Sequence, residues 1–91
     1  MNDSNVENKV STATTMYSIE EIENARVSCI IKDVIDALQE RGYNPIDQLA
    51  GYLMSGDPAY ISSYKDARKM ITSIDRSEIL EVILKEYAER L

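Results

Sequence analysis

A chain of 91 residues with a net charge of −6 makes one small domain at most. The acidic balance excludes a general affinity for nucleic acid or anionic membrane, since both need an excess of Lys and Arg. With no histidine the chain lacks the usual neutral-pH proton shuttle and the commonest metal ligand, and its single cysteine, Cys29, allows neither an internal disulfide nor a zinc set. The opening "MNDSNVENK" has no apolar run of the kind a signal peptide carries, and no stretch approaches the ~18 apolar residues of a membrane span. The expectation is a soluble cytoplasmic protein in a reducing compartment, without cofactor or metal.

Residues 1–17 are polar, rich in Ser, Thr and Asn, and lack apolar periodicity, so they read as a flexible tail ahead of a helical domain over 18–91. The charge is uneven: residues 1–24 hold five acids against one base, a net of −4. Within the tail, "STATT" puts four hydroxyl residues in five; a solvated tail is the plain reading of that composition.

Ser18-Ile-Glu-Glu21 fits a capping box, in which the serine accepts from the third backbone N–H and the glutamate reaches back. The helix it starts is predicted to run to about Arg41. Val27, Ile30, Ile31, Val34 and Leu38 share one of its faces, and Gly42 supplies a left-handed stop. Cys29 falls off that stripe, where a packing role at a second contact fits better than reactivity.

The stretch "YNPIDQLAGYLMSGDPAYI" then holds both prolines and two of the three glycines. Asn44-Pro45 is a helix start, because asparagine caps well and proline at the first helical position loses no hydrogen bond. Ile46, Leu49, Tyr52 and Leu53 form the apolar face of a short helix that Gly56 ends. Gly51 inside that helix costs roughly 1 kcal/mol relative to alanine, which predicts a close approach by another backbone. Asp57-Pro58 repeats the start signal for a single turn. Gly51 and Gly56 have phosphate-loop spacing, but Asp57 and Pro58 stand where such a loop needs Lys and Ser/Thr, so that reading fails. Tyr43, Tyr52 and Tyr60 read as half-buried packing residues rather than a stacking platform.

Two further helices are predicted. On the first, Tyr64, Ala67, Met70, Ile71 and Ile74 share a face, while Lys65, Arg68 and Lys69, with Arg76 just beyond, make a basic one. That basic face reads either as plainly solvated or as partner-binding. Asp75-Arg-Ser-Glu78 reads as the cap of a last helix running to the C-terminus. Its apolar residues Ile79, Leu80, Val82, Ile83, Leu84, Tyr87 and Leu91 cover an arc of about 200° at ~100° per residue. Packing on one neighbour needs only about 100°, so a second subunit is expected. The whole reads as all-α: about four helices and a short turn in a compact homodimer, with no strand pattern. No nucleophile–base pair is visible, so no enzyme is expected. The alternative function is a small helical dimer binding nucleic acid through Lys65, Arg68, Lys69 and Arg76.

The block from Gly42 to Ile61, with Asp66-Ala67-Arg68 and Arg76, Glu78 and Ile79 beyond it, resembles the IreB family of regulatory phosphoproteins of Gram-positive bacteria. The resemblance runs from about Thr15 to Tyr87. It implies an all-helical homodimer without enzymatic activity. It also implies phosphorylation of a tail threonine by a transmembrane Ser/Thr kinase with PASTA repeats, reversed by the cognate phosphatase. Thr15, followed by Met16-Tyr17, is the nearest match to the family's phosphoacceptor, with Thr14 and Thr12 as alternatives. The family acts in control of peptidoglycan synthesis and cell-envelope antibiotic resistance. In part of it, phosphorylation relieves ATP-dependent proteolysis of the first committed wall-precursor enzyme. The chain departs from the family pattern at Ile61-Ser62-Ser63, where the family has Ile-Pro-Arg, and at Thr72 and Ser73, where it has arginines; its basic surface is correspondingly thinner.

Overall fold

The computed structural model describes residues 17–91. Among them the chain forms four α-helices, two single 3-10 turns and no strand: α1 (Ile19–Glu40), α2 (Pro45–Ser55), turns at Pro58–Tyr60 and Tyr64–Asp66, α3 (Ala67–Ile71) and α4 (Arg76–Glu89).

The α1 boundaries follow from local chemistry. Ser18 Oγ accepts from the Glu21 N–H at 3.0 Å and Glu21 Oε1 accepts from the Ser18 N–H at 2.9 Å, completing the capping box. At the other end Gly42 has φ +87°, a conformation that costs glycine little. Its N–H reaches Gln39 O at 3.0 Å and that of Tyr43 reaches Leu38 O at 2.9 Å, a Schellman closure. Val27, Ile31, Val34 and Leu38 are buried as the 3.6-residue stripe predicts, Ala37 joins them, and Ile30 is half-buried.

The central block is a double stop and start. Asn44 Oδ1 accepts from Ile46 and Asp47 N–H groups at 3.0 and 3.2 Å, with Pro45 opening α2. Gly56 closes it in the left-handed region, and Asp57 Oδ1 then caps the Pro58–Tyr60 turn at 3.0 Å. Gly51 does have a close neighbour, but it is not a backbone. The Tyr60 ring lies over it, so a Cβ at Gly51 would overlap the ring, with Cε1 only 2.8 Å away. Of the three tyrosines read as packing residues, Tyr52 is buried, while Tyr43 and Tyr60 keep an exposed edge.

Two expectations for the C-terminal half need correction. The helix predicted from Tyr64 through Ile74 is only Ala67–Ile71, because Lys65 (φ +50°) and Asp66 (φ +62°) both turn left-handed and break it. Beyond Ile71, the Thr72 and Ser73 hydroxyls donate back to the Arg68 and Met70 carbonyls at 2.8 and 2.6 Å and compete with helix continuation. Asp75 sits in the cap position of α4 but makes no side-chain cap. Its backbone carbonyl accepts from the Glu78 and Ile79 N–H groups, and the helix ends at Glu89.

The core lies where α1 is crossed by α3 and α4. Leu38, Ile61, Ile71, Ile79, Val27 and Val34 are its largest fully enclosed side chains. Ser28 Oγ donates to Glu86 at 2.8 Å and Lys85 to Glu20 at 2.9 Å, pinning α4 along α1. Gln48 Oε1 accepts from the Ser62 N–H at 2.9 Å and ties the 61–63 link to α2.

Candidate partner-binding surfaces

The expected phosphoacceptors Thr15, Thr14 and Thr12 lie outside the described residues. The four expected partner-binding cations are described, and they do not form one free basic face. Lys65 Nζ lies 2.8 and 2.9 Å from the two oxygens of Glu40, which also accepts from the Tyr64 hydroxyl at 3.0 Å. The Tyr64 ring is flanked by Arg41 and Lys65, each 5.8 Å from its centroid. Arg68 Nε donates to the Ile61 carbonyl at 2.8 Å, and Arg76 Nη1 to the Leu53 carbonyl at 3.0 Å. The Arg76 guanidinium also lies over Gly56, within 2.9 Å of where a Cβ would stand, so that glycine serves both a left-handed turn and this approach. Lys69 alone of the four makes no hydrogen bond or ion pair among the described residues. It lines, with Arg68, Ser63, Asp66, Thr72 and Pro58, an open recess of about 350 Å³.

The Glu40 cluster has an electrostatic signature. The hydrogen bond from Lys65, then that from Tyr64, holds the Glu40 carboxyl below the usual carboxylate range, and Glu40 in turn raises Lys65. A carboxyl whose folded pKa is depressed contributes stability that is full above its unfolded pKa and is lost as pH falls through the folded value. Glu40→Gln is therefore expected to destabilise the fold at neutral pH and to match the wild type at strongly acidic pH. Urea midpoints followed from neutral to acid check this; a gap that stays constant across that range would contradict it.

A second surface is apolar. α1, α2 and α4 enclose a groove of about 420 Å³ whose walls include Ile35, Ile46, Leu53, Ile83 and Tyr87, with Glu86 and Arg90 at its margin. Ile46 belongs to the apolar face predicted for α2, yet it is 68% exposed, because it stands on this groove rather than over the core. On α4 only Ile79 and Val82 are buried. Leu80, Leu84 and Tyr87 fall within about 60° of one another on the helix surface, Leu91 follows just past its end, and all four are exposed, Leu84 by 62%. The broad apolar arc of α4 signalled this patch from sequence; the contribution of α2 needed the fold. Cys29 is exposed on α1, so the second packing contact expected of it is not seen among the described residues.

Among the described residues no three His, Cys, Asp or Glu side chains group to hold a metal ion, and no helix is long and apolar enough to cross a membrane. A family model described as IreB regulatory phosphoprotein matches residues 12–89. That span takes in the whole helical region together with Thr12, Thr14 and Thr15, and the chain belongs to the IreB regulatory phosphoprotein family.

Proposed function

We propose that this chain is a non-enzymatic cytoplasmic regulator, working as a homodimer and switched by phosphorylation of its tail at Thr15, with Thr14 and Thr12 as alternative acceptors. The writer is a PASTA-type Ser/Thr kinase and the eraser its cognate phosphatase. The output is control of peptidoglycan synthesis and, through it, cell-envelope antibiotic resistance. The phosphorylated form relieves ATP-dependent proteolysis of the first committed wall-precursor enzyme. The observation that carries this reading is the family match, which includes the three tail threonines. The exposed apolar stripe of α4 supports the homodimer, since three large side chains on one strip of helix, with Leu91 just past its end, are costly to leave in water.

A phosphate near residue 15 adds about −1.5 to −2 charge. The N-terminus of α1 is a poor place to receive it, because the Ser18 and Glu21 N–H groups are already bonded within the capping box and Glu20, Glu21 and Glu23 surround them. The nucleic-acid reading loses support for a related reason: Lys65, Arg68 and Arg76 are held by Glu40 and by backbone carbonyls in a chain of net charge −6.

The test uses purified kinase with the wild type and with Thr12, Thr14 and Thr15 changed singly to Ala, followed by phosphopeptide mapping. Phosphate is expected to be lost in Thr15→Ala, or else in one of the other two. If no tail threonine accepts phosphate, the switch does not exist.

A further inference from the structure

The recess beside α3 is defined by what its side chains are already doing. The bond from Arg68 Nε to Ile61 O orients the guanidinium, and its two Nη groups donate to no acceptor among the described residues. Lys69 Nζ and the Ser63 hydroxyl are equally without partners among those residues. Thr72 has given its proton to the Arg68 carbonyl at 2.8 Å, so it offers only lone pairs. Asp66 is the one acid in the lining.

We infer that this recess receives a phosphate monoester, gripped by the outer edge of Arg68 and the Lys69 ammonium, with the Ser63 hydroxyl as a third donor. A pre-oriented guanidinium fork beside a point charge suits a tetrahedral dianion. Asp66 leaves the lining with one net positive charge instead of two, which tunes the site to weak, reversible binding.

The source of the ester rests on the phosphorylation reading above and on the length of chain available. Lys65, next to Asp66, is bonded to Glu40, the last residue of α1, whereas the tail joins at Ser18 before the first. Across the 22 residues of α1 those two ends are about 30 Å apart. Thr15 lies three residues before Ser18 and extends about 10 Å from it at most. On that spacing the short reach of Thr15 favours the recess of a second copy over that of its own chain, and phosphothreonine 15 is assigned to the second copy.

The experiment is a titration of the unphosphorylated full chain, followed by amide NMR. The probes are a synthetic peptide of residues 11–19 phosphorylated on Thr15, the same peptide unphosphorylated, and inorganic phosphate. The phosphopeptide is expected to shift the amides of Ser63, Arg68 and Lys69 and to bind about tenfold tighter than its unmodified form. Lys69→Gln should weaken it by about fivefold and Asp66→Asn should strengthen it by a similar factor. Asparagine tolerates the left-handed backbone at that position, and the opposite signs separate charge at the site from damage to the fold. Binding that ignores the phosphate, or an affinity unchanged in both variants, overturns the site. Inorganic phosphate acting on the same amides as strongly as the phosphopeptide overturns the tail as its occupant. Because the peptide's phosphate is installed chemically, failure here counts against the recess, while failure of the kinase assay counts against the phosphorylation reading.

Discussion

Gly51→Ala is expected to destabilise the fold, although alanine is the better helix former by about 1 kcal/mol. The added methyl would overlap the Tyr60 ring near its root, with Cγ at 3.0 Å. Relief therefore requires the whole ring to swing off α2 rather than a flexible tip to bend. Overpacking of this kind costs typically ~1–3 kcal/mol, and Gly51→Val should sit at the upper end. The double-mutant cycle isolates the cause. With Tyr60→Ala in place the overlap is gone, and Gly51→Ala should become neutral or stabilising by up to ~1 kcal/mol. Thermal or urea unfolding of the four proteins checks this. The same loss in both backgrounds would mean that the ring is not what Gly51 accommodates.

Leu84→Glu is expected to convert the protein to a monomer. In the single chain Leu84 is 62% exposed and is not one of the buried core residues, so the substitution should change the stability of one chain by no more than ~0.5 kcal/mol. In a dimer built on the Leu80–Leu84–Tyr87–Leu91 stripe, the same change buries a carboxylate in an apolar contact, a cost of several kcal/mol per ion. Sedimentation at micromolar concentration should give about twice the 10.3 kDa chain mass for the wild type and a single mass for the variant. A wild type that sediments as a monomer removes the dimer; a variant that remains dimeric moves the contact elsewhere, with the groove around Ile46 and Ile35 as the surface to test next.

Local signals carried much of the fold. The Ser18–Glu21 box, the Gly42 and Gly56 stops and the Asn44-Pro45 and Asp57-Pro58 starts each act within a few residues, and each is found where its chemistry puts it. What the sequence did not show depends on partners far along the chain. The break at Lys65-Asp66 accompanies a contact with Glu40, 25 residues away. The neighbour of Gly51 is a ring supplied by the next turn, and spacing cannot distinguish that from a backbone. The bonds that engage the basic residues were hidden for the same reason. Arg68 and Arg76 look free on a helical wheel, yet each donates to a carbonyl left open where the chain changes direction, at Ile61 and Leu53. A wheel shows which residues share a face, not which backbone acceptors that face will meet. The recess lined by Arg68 and Lys69 was partly legible as a cationic cluster, but the reduction from four available cations to two was not.

The central claim is that the tail carries a reversible phosphate in the cell. It is tested most directly by intact-mass and fragment mass spectrometry of the protein purified from its own cells, grown with and without a wall-active antibiotic. A singly phosphorylated population is expected, with the phosphate on Thr15, or on Thr14 or Thr12, and with a share that changes with the treatment. A chain unmodified under both conditions, or one whose phosphate lies only within residues 18–91, would contradict it.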